Sequence, residues 1–148
     1  MEKDEIIEKV RDIVENDEDV RSKLKDICRI LHSKLDGYDW VGFYLVENGE
    51  LVLGPYVGEP TDHTNIDFGE GVCGQAAERE ETYLVDDVNQ EQNYLSCSPK
   101  VNSEIVVPIF KRGKVVGELD IDSHEKSRFE DEDKKILEEI AEVVGKIL

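Results

Sequence analysis

At 148 residues, with 39% hydrophobic and 36% charged side chains, the chain is long enough to bury one real core and reads as one domain. Its formal net charge of −18, from 18 basic against 36 acidic residues, argues against nucleic acid as a partner, because phosphate backbones are bound by Lys and Arg. No apolar run approaches membrane-spanning length and the charged start MEKDEIIEKV lacks the apolar stretch of a signal peptide, so no membrane partner and a cytoplasmic location are expected.

Residues 3–15 and 18–35 read as two helices broken at Asn16-Asp17, the second with Val20, Leu24, Ile27, Cys28, Leu31 and Leu35 at helical spacing. That stripe must face a core or a partner. Three cysteines without framework spacing are, in a reducing compartment, buried, metal-binding or reactive thiols and not structural disulfides. Cys28, inside the stripe, is a small buried hydrophobe; His32 beside it is a solvated helix residue. After Gly37, DWVGFYLVENGELVLGPYV alternates and turns at Asn48-Gly49, a strong hairpin signal. Val41, Phe43 and Leu45 share the face suited to a core, and Trp40, Gly42 and Tyr44 share the other. The two aromatics, with Gly42 leaving space between them, either line a ligand site or simply cover the sheet.

Residues 58–68 form a turn-rich loop, and GEGVCGQAAERE follows, with Gly69, Gly71 and Gly74 permitting tight turns before a short helix over 72–80. Cys73 stands at that helix start, where free N–H groups attract anions, and is a candidate for a lowered pKa. The GxGxxG spacing is weak without a parallel βαβ unit. Residues 82–85 read as a short strand and 86–101 as a long polar loop, of a length that in a compact domain usually carries a function.

In LSCSPKVNSEIVVPIFKRGKVVGELDID, one apolar run (Val106, Val107, Ile109, Phe110) turns at Arg112-Gly113 into another (Val115, Val116, Leu119, Ile121), which is a second hairpin. Its ends bring Cys97 and Glu104 towards Asp120 and Asp122. Carboxylates two residues apart on a strand point to one face, at a cost unless something cationic sits there, so this stretch reads as a pocket wall. A last helix over about 130–148 carries Ile136, Ile140, Val143, Val144 and Ile147 on one stripe and is expected to pack beside the first two. The amphipathic stripes at the two ends of the chain offer a homodimer surface, although core packing alone explains them.

With WVGFYLVENGELVLGPYVG, then GEGVCG, then Cys97 followed by NSEIVVPI and GELDIDS, the chain resembles the GAF fold and, more narrowly, the free methionine-(R)-sulfoxide reductases, over about residues 36–148. The resemblance implies an α+β fold: a central antiparallel sheet, N- and C-terminal helices on one side, and a closed ligand pocket on the other, with 1–148 as a single GAF domain. In that family a thiol in the long loop attacks the sulfoxide sulfur, and the matching position is Cys97; the second motif cysteine matches Cys73. Many members carry a third cysteine ten residues before the GVCG cysteine, where this chain has His63. Recycling then falls to Cys73 or to an external thiol, from a thioredoxin-type or small thiol reductant.

Sulfoxide reduction needs a nucleophilic thiolate, an acid to protonate the departing oxygen, and a second thiol to reduce the sulfenic acid. Cys97 can supply the first and Cys73 the third. Crowding of Glu104, Asp120 and Asp122 keeps at least one of them protonated as a donor, while the others can bind the ammonium of free methionine sulfoxide. Trp40 and Tyr44 would pack around its methyl end, and no cofactor enters. Two other readings compete. A non-catalytic GAF sensor gains weight from His63 but has no need of the two thiols and the acidic set together. Metal binding by His63, Cys73 and Cys97, with or without an Asp, has suitable ligand types but no CxxC or HxxxH spacing, so no metal is expected.

Overall fold

The computed structural model describes residues 3–91 and 100–148. Two helices, α1 (Lys3–Glu15) and α2 (Val20–Lys34), precede the hairpin β1 (Trp40–Glu47) and β2 (Glu50–Val57). A short strand β3 (Asn65–Asp67), helix α3 (Gly71–Arg79) and strand β4 (Tyr83–Val85) follow, then the hairpin β5 (Ser103–Lys111) and β6 (Lys114–Ser123) and helix α4 (Asp131–Val144). The strands form one sheet in the order β3-β2-β1-β6-β5-β4, and every pair is antiparallel. This is the expected α+β layout.

Both hairpins turn through two residues in the left-handed region, Asn48 and Gly49 at φ 52° and 80°, and Arg112 and Gly113 at φ 53° and 78°. Such turns follow the right-handed twist of the strands they join. Strand alternation then sends Phe43, Ile105, Leu119 and Ile121 to one side of the sheet, where they pack with Ile6, Leu24, Ile27, Leu137 and Ile140 of α1, α2 and α4. On the opposite side, Tyr44 and Val106 meet Val72 and Ala76 of α3 and Ile66 of β3. The sheet is therefore buried on both faces, and a polar group on the α3 side is shielded as fully as one beneath the three helices.

The corner between α2 and β1 is tied to α4 by Tyr38, whose hydroxyl donates to Asp133 Oδ1 at 2.6 Å. Asp133 also accepts from the Glu130 N–H at 2.8 Å and from Arg128 Nη1 at 3.3 Å, which satisfies an orphan donor at the start of α4. Cys28 is buried on α2, its Sγ donates to the Pro55 carbonyl at 3.7 Å, and burial pushes its pKa up to about 12. Two details depart from expectation. Strand β3 lies inside the loop read over 58–68, because Ile66 is its one buried residue and one apolar side chain makes no period. Helix α4 stops at Val144 and not at Leu148, where the chain tightens into turns closed three residues back, Lys146 N–H to the Val143 carbonyl and Ile147 N–H to the Val144 carbonyl.

Candidate active site

On β6, Glu118, Asp120 and Asp122 alternate with Leu119 and Ile121, so the three acids face α3 while the apolar residues face the helical core. Glu104 on β5 is paired directly with Asp122. All four are out of solvent, with exposures of 4% for Glu104, 0% for Glu118, 2% for Asp120 and 0% for Asp122. Cys73, 6% exposed, reaches them from the first turn of α3, and its Sγ donates to Asp120 Oδ2 at 3.4 Å. The glycine-rich turn brings it that close: the Gly69 N–H donates to the Gly74 carbonyl at 2.7 Å, and a Cβ at Gly74 would sit 2.4 Å from the Asp67 carbonyl oxygen.

Burial, then the charges of Asp120 and Asp122, pushes Glu104 well above the usual carboxylate range. Burial raises Asp120 as well, but hydrogen bonds from Glu104 and Cys73 work against the rise. Burial thus holds a proton within the Glu104–Asp120 pair. Glu118 is raised by burial and by the charge of Asp120, partly offset by the neighbouring Cys73 thiol. Neither of its carboxyl oxygens has a hydrogen-bond partner among the described residues.

The lowered pKa expected for Cys73 is overturned. Burial comes first, then Asp120, Glu104, Glu118 and Asp122, and together they push the thiol well above its ordinary value. A helix N-terminus favours an anion by only about 1 kcal/mol, too little against desolvation and four carboxyls. Cys73 is a protonated thiol at neutral pH.

Tyr44, His63, Ile66, Val72, Cys73, Glu104 and Asp120 enclose a cavity of about 10 Å³, room for roughly one water. The Tyr44 hydroxyl donates to the His63 carbonyl at 2.9 Å. Trp40 is not part of this lining among the described residues. Its ring lies over Gly42, where a Cβ would come within 2.4 Å of Cη2; it stacks on Tyr56 at 5.4 Å and 17°, and Nε1 donates to the Glu59 carbonyl at 2.9 Å. The space expected at Gly42 is thus filled by Trp40 itself. Cys97, the expected nucleophile, lies outside the described residues. Sequence reasoning missed Glu118, although it stands two residues before Asp120 and shares its strand face by the same rule that placed Asp122.

Residues 17–148 match the GAF domain family. The free methionine-R-sulfoxide reductase of Escherichia coli is 37% identical over 125 residues, 84% of this chain and 75% of that protein. Among solved structures, the free methionine-R-sulfoxide reductase of Neisseria meningitidis in complex with its substrate aligns over 98% of this chain and 87% of its own, with 37% identity and a TM-score of 0.93. The reduced form of the Staphylococcus aureus fRMsr aligns over 99% and 94%, with 39% identity and a TM-score of 0.92. Taken with the acid wall and the Cys73 thiol set against it, these matches show that the chain belongs to the GAF-domain free methionine-(R)-sulfoxide reductase family.

Proposed function

We infer that this protein reduces free L-methionine-(R)-sulfoxide to methionine at the expense of thiols. The observation that carries the reading is the Cys73 thiol hydrogen-bonded to Asp120 within a wall of four buried carboxyls. A buried wall of carboxyls ionises most readily when a cation sits against it and so favours a cationic ligand, and the α-ammonium of a free amino acid supplies one. A peptide-bound methionine sulfoxide does not. The substrate complex named for the Neisseria relative supports the same choice.

In the proposed reaction Asp120 and Asp122 hold the ammonium, and Tyr44 and Trp40 shape the wall at the methyl end, Trp40 by bracing the segment at Glu59. The Cys97 thiolate attacks the sulfoxide sulfur. The oxygen takes the proton held by Glu104 and ends on Cys97, so methionine leaves and Cys97 remains as a sulfenic acid. Cys73 then gives its proton towards Asp120, 3.4 Å away, and attacks the Cys97 sulfur. Asp120 returns that proton to the departing hydroxide, which leaves as water, a Cys73–Cys97 disulfide forms, and a thioredoxin-type or small thiol reductant restores both thiols. The test is Cys97→Ser, which should abolish dithiothreitol-driven reduction while keeping calorimetric binding of the substrate; full turnover in that variant would remove Cys97 from the mechanism.

A further inference from the structure

Glu118 has no task in that chemistry. Both of its oxygens lack a hydrogen-bond partner among the described residues although the side chain is fully buried, an arrangement that is costly unless something binds there. The carboxyl shares a strand face with Asp120 and lies beside the Cys73 thiol. Asp120 Oδ1 is likewise unpartnered.

The Cys73 sulfur and one oxygen each from Glu104 and Asp120 all lie within 4.8 Å of one another, and the sulfur is 3.4 Å from Asp120 Oδ2. A tetrahedral centre with a metal–sulfur bond of about 2.3 Å and a metal–oxygen bond of about 2.1 Å has a sulfur–oxygen edge of about 3.6 Å. The sulfur–Asp120 edge is therefore already close to that of such a shell, and a Glu104 oxygen lies within 4.8 Å of both atoms, on two strands and a helix of the core. One thiolate with carboxylates suits a d¹⁰ divalent ion, zinc or its softer analogue cadmium.

We propose that Cys73, Glu104 and Asp120 form a binding site for zinc, with Glu118, whose oxygens stand outside that 4.8 Å set, turning in as fourth ligand on binding, and that zinc held there inhibits the reductase. The ligand set differs from the one that the sequence offered, keeping Cys73 and an Asp but neither His63 nor Cys97. On binding, the protons of Cys73 and the protonated carboxyls pass to solvent as the metal bonds form. Occupancy takes the resolving thiol and the proton donor out of use together. The inhibitory half rests on the reductase reading; binding itself does not.

The experiment uses the reduced, chelator-free protein carrying Cys97→Ser, which has no turnover in the proposed mechanism, so that metal binding is measured independently of activity. Cadmium is titrated by the ultraviolet thiolate-to-metal absorption and zinc by competition with a chromophoric chelator. One equivalent should bind saturably. Cys73→Ser should lose the absorption, and Glu118→Gln and Glu104→Gln, with circular dichroism unchanged, should each weaken zinc at least about tenfold. No saturable binding, absorption retained in Cys73→Ser, or zinc affinity unchanged in folded Glu118→Gln would overturn the site. In the active wild type, stoichiometric zinc should abolish turnover and a chelator should restore it; turnover unchanged with zinc bound would overturn the inhibition alone.

Discussion

Raising the pH should destabilise this fold across a range in which most proteins are at their firmest, and the acid wall is the cause. Glu104, Glu118 and Asp120 all have folded-state pKa values raised chiefly by burial. Between the unfolded carboxylate pKa, near 4, and the raised folded value, the native state binds more protons than the unfolded chain, so stability falls as pH rises. Each group held protonated removes a little over 1 kcal/mol per pH unit. A group held protonated over two pH units would alone cost about 3 kcal/mol. For a domain near this size that is about 10 °C in Tm. Asp19, Asp87 and Glu132 are shifted the other way, downward; their contribution is present above the unfolded pKa and is lost only as pH falls below it, so they leave this window untouched. The assay is urea and thermal unfolding at about pH 5, 6, 7 and 8 for the wild type, Glu118→Gln, and the exposed control Glu139→Gln. Glu118→Gln should match the wild type near pH 5 and exceed it increasingly as pH rises, by a little over 1 kcal/mol for each pH unit over which Glu118 is held protonated, whereas the control should follow the wild type throughout. A wild-type stability that is flat from pH 5 to pH 8, with no gain from Glu118→Gln, would refute the reasoning.

Four further outcomes follow from the geometry. Tyr38→Phe removes the buried donor to Asp133 and should cost about 1–3 kcal/mol in urea unfolding with turnover unchanged; a neutral substitution would mean that the tie to α4 carries no weight. Gly74→Ala forces a Cβ against the Asp67 carbonyl and should cost about 1–3 kcal/mol together with most of the activity, because Cys73 is the adjoining residue; wild-type kinetics would contradict this. Tyr44→Phe releases the His63 carbonyl and should raise KM several-fold with kcat little changed, and an unaltered KM would separate that segment from binding. One equivalent of substrate should yield a Cys73–Cys97 disulfide by mass mapping with Cys28 still reduced, and Cys73→Ser should lose turnover with a thioredoxin-type reductant while keeping some with excess dithiothreitol; a Cys73→Ser protein unaffected with both would leave Cys73 to binding alone.

The elements that were legible in the sequence are those with a period or a turn of obligatory chemistry. Asn48-Gly49 and Arg112-Gly113 fixed two hairpins, the alternation beside them sorted Phe43 from Tyr44 and Leu119 from Asp120, and the stripe through Leu24, Ile27 and Leu31 marked the face of α2 that the fold buries. Strand β3 has a single buried residue and left no pattern to read. What stayed illegible at the site are matters of environment. Cys73 stands at a helix start, as expected, yet its proton is decided by burial and four carboxyls that only the folded sheet brings together. Trp40 lies on the expected face, but its rotamer carries the ring over Gly42 and onto Tyr56, a choice that sequence spacing does not encode. Glu118 was available to the alternation rule, and the fold makes it conspicuous by leaving it fully buried without a partner.

The measurement that bears most directly on the proposed activity is thiol-driven reduction of methionine sulfoxide supplied as separate free epimers and as a methionine sulfoxide blocked at both ends by peptide bonds. With dithiothreitol as reductant, methionine should form from the free R epimer, with little or none from the free S epimer or from the blocked substrate, whose missing ammonium leaves the acid wall without its cation. Absence of reduction with both free epimers, or equal rates with the free R epimer and the blocked substrate, would contradict the account.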